Sequence, residues 1–201
     1  GKDETAYAIV RYAHGMLYLV DSGGFVDGFG EDTLSTLAAK AARHGVNNVI
    51  IERNFGGGMF DKLLQPYLAK MGGGRIDEEW DSWSSTQKEA RILDTLEPLM
   101  QNHKLVVDRR VIEQDLVQQK EASRYSLVQQ LTRISRMKGA LPNEDRLEAL
   151  SMACSYFTDR MARDKDKVLA QHKASLIKAE VKNYMQHVMG IKKRVTRTWA
   201  A

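Results

Sequence analysis

The sequence holds a single cysteine, Cys154, among its 201 residues. One thiol makes neither an internal disulfide nor a zinc site built from several thiolates, so a disulfide scaffold is excluded and a reducing, cytoplasmic setting is expected. Prolines number three, and 28% charged residues stand beside 43% hydrophobic ones, a balance that argues against wholesale disorder. No apolar run approaches the roughly 20 residues that cross a bilayer. Nor does the start carry the basic-then-apolar pattern of a secretory signal. Familiar nucleotide and catalytic signatures are missing too: the phosphate loop ending in Gly-Lys-Ser/Thr, the GxGxxG turn, HExxH and GxSxG. The five histidines (His14, His44, His103, His172 and His187) show no metal-ligand spacing. Carboxylates remain as the candidates for chemistry.

The net charge of +4 is unevenly spread. From residue 159 onward eleven Lys and Arg face four acids, a surplus of seven, whereas the preceding residues carry nineteen bases and twenty-two acids. The basic balance belongs to the tail. It permits a nucleic-acid partner without demanding one. A strand-like run begins by Ala6, close behind Gly1, and the chain reads as a piece of a longer protein.

Ala6 to Tyr12 and Met16 to Val20 are short runs rich in aromatic and β-branched residues, and with a turn at His14-Gly15 they predict a β-hairpin. Asp32 is the expected cap of a helix in which Leu34, Leu37, Ala38 and Ala41 share a face, with Gly45 at its stop. Val49-Ile50-Ile51 predicts a buried strand ending at Glu52. Gly56-Gly57-Gly58 leads into a helix from Met59 to about Lys70. A stretch from Gly72 to Ser85 with four acids, Trp80 and Trp83 reads as flexible, the tryptophans as packing residues. Thr86 and Glu89 make a capping box for a helix to about His103, in which Pro98 marks a kink or early end. Leu105 to Val107 reads as a strand, and residues 111–138 as mostly helical, with helix and strand not separable around 131–137. After Pro142, Asn143 caps a helix whose Leu147, Leu150, Cys154, Phe157 and Met161 follow 3, 4, 3, 4 spacing. A longer amphipathic helix follows from Val168 to Met189, then a basic end at 192–197. Strands alternating with helices give an α/β class.

Two carboxylate placements matter. Glu52 ends an apolar strand, where open α/β sheets place their ligand crevice. Asp145 opens a helix, with Glu148 three residues on and thus about 60° around the same face. The bland alternatives are a solvent-facing strand end and acids that complement a helix dipole. If the two placements converge, they suit hard divalent cations flanking a scissile phosphate.

These residues belong to four longer stretches: GKDETAYAIV (1–10), IIERNFGGGMF (50–60), LDTLEPLMQNHKLVV (93–107) and LTRISRMKGALPNEDRLEAL (131–150). Together, and in this order, they resemble the nuclease domain of large terminase subunits, the DNA-packaging motors of tailed bacteriophages, and in particular the short-tailed phage type called DNA maturase B. The resemblance covers residues 1–160 and leaves 161–201 as a basic helical tail. It implies an RNase H-like fold, a mixed central sheet flanked by helices with a C-terminal helical extension. It also implies a two-metal endonuclease that cuts concatemeric double-stranded DNA with Mg²⁺ or Mn²⁺.

Glu52 matches the family's strand-end glutamate and Asp145 the aspartate opening its last active-site helix. Glu148 falls on an auxiliary acidic position, Glu144 is a neighbour that tunes charge, and Asp3 ends the motif that begins with the family's first metal-binding aspartate. That aspartate is expected to precede Gly1, on a central strand whose absence would leave neighbouring strands with an unpaired edge. Arg133, Arg136 and Lys138 suit a DNA-facing rim, and Asn54 and Gly56 a close approach to the DNA backbone. The tail is expected to meet the portal ring or the small terminase subunit, or to pack on its own domain. The implied setting is a packaging complex in the host cytoplasm, with no membrane partner. Two rivals stand beside this reading: a noncatalytic DNA-holding and portal-docking module, and a junction-resolvase-like nuclease of the same fold.

Overall fold

A two-residue turn folds the first apolar runs back on each other. His14 (φ 51°) and Gly15 (φ 76°) both take the left-handed region, as the tight turns that match strand twist require. A computed structural model describes residues 4–52, 58–78 and 87–188, leaving aside the side chains of 159–171, 183 and 185–188. Its hairpin is longer than the runs predict: β1 spans Thr5–Ala13 and β2 Met16–Phe25, paired antiparallel with a bulge between Ile9 and Val10. In β2 the alternation of pleated side chains buries Leu17, Leu19 and Asp21.

Two small sheets result. β5 (Leu105–Val107) joins the other side of β2 in parallel, giving the order β1-β2-β5. β3 (Asn48–Val49) and β4 (Arg75–Ile76) form a separate parallel pair. The expected strand at Val49 to Ile51 is thus shorter than its apolar pattern, because Ile50 and Ile51 make no ladder bonds. Among the described residues β1 pairs only with β2, and β3 only with β4. The free edge of β1 and the segment 47–52 border one cavity of about 580 Å³.

Helices cover these sheets. α1 (Glu31–Arg43) buries Leu34, Ala38 and Ala41, the predicted stripe, but starts from Gly30 rather than from a cap at Asp32, which sits in its first turn. α2 (Met59–Met71) packs Phe60, Leu64 and Leu68 against that stripe. A second and larger core gathers Leu17 and Leu19 of β2 with residues of four more helices. These are α3 (Lys88–Gln101), α4 (Arg109–Ala122), α5 (Leu127–Arg133) and α6 (Asp145–Val188). Asp21 ties the two cores together: it accepts hydrogen bonds from Tyr7 Oη at 3.0 Å and Lys40 Nζ at 2.9 Å, with His44 Nε2 at 3.2 Å.

Pro98 does not end α3 early; the helix runs to Gln101, and the Asn102 side chain donates to the Pro98 carbonyl at 2.7 Å. The ambiguous residues after 131 form no strand. α5 ends at Arg133, and its start is capped from α4, where buried Asp115 accepts from Ser126 Oγ and from the Leu127 and Val128 amides. The two helices expected after Asn143 are one, continuous from Asp145 to Val188. The apolar stripe lapses between them, yet the intervening residues include good helix formers and no Gly or Pro.

The chain divides into two compact units, residues 1–157 and 158–201. In the second, Leu176, Ile177, Val181 and Tyr184 are exposed along the helix. No helix among the described residues is long and apolar enough to cross a membrane.

Candidate active site

Three of the carboxylates picked out in the sequence line the same cavity. Glu52 reaches it from the end of the β3 segment, and Asp145 and Glu148 from the first turn of α6. Neighbouring structure dictates where that turn sits. The core side chains Leu147, Leu150 and Cys154, each no more than 1% exposed, anchor one face of the helix. Gln130 of α5 accepts the Leu147 amide proton at 3.0 Å, satisfying a donor that a helix start leaves unpaired. Arg146, between the two acids, forms a buried bidentate pair with Glu4 at 2.6 and 3.1 Å, which pins α6 beside the start of β1. The helix begins at Asp145, with the Glu144 carbonyl taking the Glu148 amide at 2.8 Å; Asn143, the expected cap, lies buried just before it.

Glu52 and Glu148 are close enough to feel each other's charge. Partial burial and then the Glu148 carboxylate push the Glu52 pKa up from its ordinary value, against the opposing pull of Lys88 and Arg91. Neither cation stands out in the sequence, yet both engage Glu148 from α3. Arg91 donates to Oε1 at 2.6 Å, and Lys88 reaches Oε2 at 2.6 Å and Glu144 Oε1 at 3.0 Å. Burial alone would lower the Lys88 pKa, but Glu148 and then Glu144 outweigh it and hold the ammonium protonated. Their spacing of three on the polar face of α3 marks a surface, but only the fold shows what that surface meets.

The donor chemistry suits a hard divalent cation, since carboxylate oxygens are the preferred ligands of Mg²⁺ and Mn²⁺. The geometry is partial. Among the described residues no group of three or more His, Cys, Asp or Glu side chains stands together as a ready metal site, and both oxygens of Glu148 are engaged by cations of α3. Glu52 and Asp145 offer the cavity oxygen donors of the right kind, while Glu148 is held by the two cations.

Of the expected DNA-facing residues, Arg133 and Lys138 are exposed. Arg136 is exposed as well but pairs with Asp94 at 2.7 Å, with Glu97 at 3.8 Å. The segment carrying Arg136 and Lys138 is fastened to the start of α3, where Gly139 donates its amide to Glu89 at 2.5 Å. Asp3, Asn54, Gly56, Thr86, Trp80, Trp83 and the basic end at 192–197 lie outside the described residues.

The raised Glu52 pKa predicts a pH-dependent stability effect. A carboxyl whose folded pKa exceeds its unfolded one favours folding at low pH, and that contribution is lost as pH rises through the folded pKa. At neutral pH the ionised Glu52 therefore opposes folding. Glu52→Gln is expected to raise the melting temperature slightly at pH 7 without divalent cations, the gain fading as pH drops below the ordinary glutamate value of 4.5. Thermal melts at the two pH values check it; a lower melting temperature at pH 7 would contradict the charge crowding.

Comparison with known proteins gives two likenesses. A family described as Terminase Bacteriophage T7, Ribonuclease H-like domain matches residues 1–105, just over half of the chain and including Glu52. The large terminase subunit of Enterobacteria phage T3 is 39% identical over 192 residues, covering 93% of this chain, a span that takes in Asp145. This chain matches 32% of that protein's length.

Proposed function

The chain belongs to the family of phage T7-type terminase RNase H-like domains, and from that premise we propose that it is a metal-dependent endonuclease that cuts concatemeric double-stranded DNA during packaging. The observation that carries this reading is the convergence of Glu52, Asp145 and Glu148, far apart in sequence, on one cavity. Carboxylates gathered in a cavity with a raised pKa among them are a frequent feature of functional sites.

In this reading Glu52 and Asp145 would hold Mg²⁺ or Mn²⁺, with Glu148 as an auxiliary ligand; such ions, when bound, would supply Lewis-acid activation of a water and charge neutralisation at the leaving oxygen of the phosphodiester. The protein's own contribution is positional. The Arg146–Glu4 pair and the Gln130 contact fix the first turn of α6, so that Asp145 is presented at one place relative to Glu52. No side-chain nucleophile is required. Arg133 and Lys138 make sequence-tolerant, salt-sensitive phosphate contacts along the rim. In the complete packaging assembly the partners are DNA, the portal and the small terminase subunit.

Nicking of supercoiled plasmid tests the reading, with Mg²⁺ or Mn²⁺ against a chelator control, for this chain and for a form extended upstream of Gly1. Metal-dependent conversion to open circles in at least the extended form is expected. DNA binding without cutting in either form, under any divalent metal, would remove the nuclease assignment and leave a DNA-holding, docking module in its place.

A further inference from the structure

We infer that Lys88 and Arg91 are resident counter-cations of the carboxylate site, and that a divalent metal must displace them from Glu148 to bind with its full ligand set. The inference rests on the metal-dependent reading above. Glu52, Asp145 and Glu148 line one cavity and Glu144 shares Lys88 with Glu148, so negative charge left uncompensated at this partly buried place is repulsive. The fold meets this repulsion from a different element. α3 lays one ammonium and one guanidinium on Glu148, one to each oxygen, at 2.6 Å apiece.

Three features make this pair more than a surface salt bridge. Glu148 is 8% exposed at its side chain, so its charge needs a partner. Lys88 spans Glu148 and Glu144, as a small cation between two carboxylates would. Both cations keep a solvent-exposed portion, 36% for Lys88 and 28% for Arg91, which leaves them room to swing away without unpacking the core. They are positioning residues, acting on metal through Glu148.

Removing one resident charge must therefore strengthen metal binding. Mn²⁺ uptake, followed by loss of the free-ion paramagnetic resonance signal in the absence of DNA, is the test. Lys88→Met and Arg91→Gln are each expected to tighten Mn²⁺ binding about tenfold, the scale of a single neighbouring charge on a titration. Lys88→Arg keeps the charge and is expected to bind as the parent does. Asp145→Asn, which removes a proposed ligand, is expected to weaken binding. Unchanged or weaker Mn²⁺ affinity in both charge-removing variants, in a parent whose binding is lost with Asp145→Asn, would overturn this inference and leave the metal reading standing. The parent is the form extended upstream of Gly1; if it takes up no Mn²⁺, both are overturned.

Discussion

Asp145→Asn is expected to reduce plasmid nicking by about a thousandfold or more, equivalent to roughly 4 kcal/mol of transition-state stabilisation. The substitution keeps the size of the side chain and a hydrogen-bonding group at the first turn of α6, and removes only the charge. The core anchors of the helix, Leu147, Leu150 and Cys154, are left in place. A thermal melt of the variant, run alongside, separates a loss of chemistry from a loss of fold. DNA binding should persist or strengthen, because one carboxylate no longer repels phosphate. The comparison uses whichever form cuts, at saturating metal, with binding measured separately by filter retention. A loss below tenfold would exclude Asp145 as a metal ligand.

The second large effect concerns folding. In the Arg146–Glu4 pair the side chains are only 8% and 2% exposed, and breaking such a pair leaves the remaining charge buried without its counter-ion, a cost of about 3–5 kcal/mol. Arg146→Met should lower the free energy of unfolding by that amount in a urea titration. Adding Glu4→Gln to it should recover a substantial part, because the penalty lies in the stranded carboxylate rather than in the lost attraction. The single variant should also cut poorly at temperatures where it is still folded, since the pair holds the first turn of α6 beside β1. Equal costs for the single and double variants would show that Arg146 acts through packing alone.

How far the sequence discloses this architecture depends on the range of the interactions. The hairpin and the α1 stripe are local patterns, period two and period 3.6, and both appear where the residues predict them. So does the stripe of Leu147, Leu150 and Cys154. Strand length at Val49 to Ile51 is misread because an apolar run says that residues are covered, not that their backbone is paired. The continuity of α6 is missed for the opposite reason: helix propensity persists where the apolar stripe fades. In the sequence Glu52 and Asp145 stand out as acids at predicted element ends, although β3 stops at Val49, and the role proposed for them comes from the resemblance to terminase nucleases. Their meeting in one cavity is a property of the fold. Lys88 and Arg91 are illegible in advance, because nothing about two bases on a helix face announces a shared partner that lies 57 residues beyond Arg91. Asp115 is similar: an acid in the middle of α4 gives no local sign that it caps the start of α5.

The pairing order of the first sheet bears on how the chain matures as it is made. β1 and β2 meet across a two-residue turn and can associate as soon as both have left the ribosome. β5 reaches β2 only after the intervening α1, α2 and α3 have been synthesised. The Arg146–Glu4 pair closes a span of 142 residues. Long closures come late, because their entropic cost precedes any reward. The last of them is also the contact that brings the α6 acids alongside the rest of the site. A nascent chain therefore does not bring Glu52, Asp145 and Glu148 to one cavity until the start of α6 has emerged and packed, so the proposed site is the last part of the fold to be assembled.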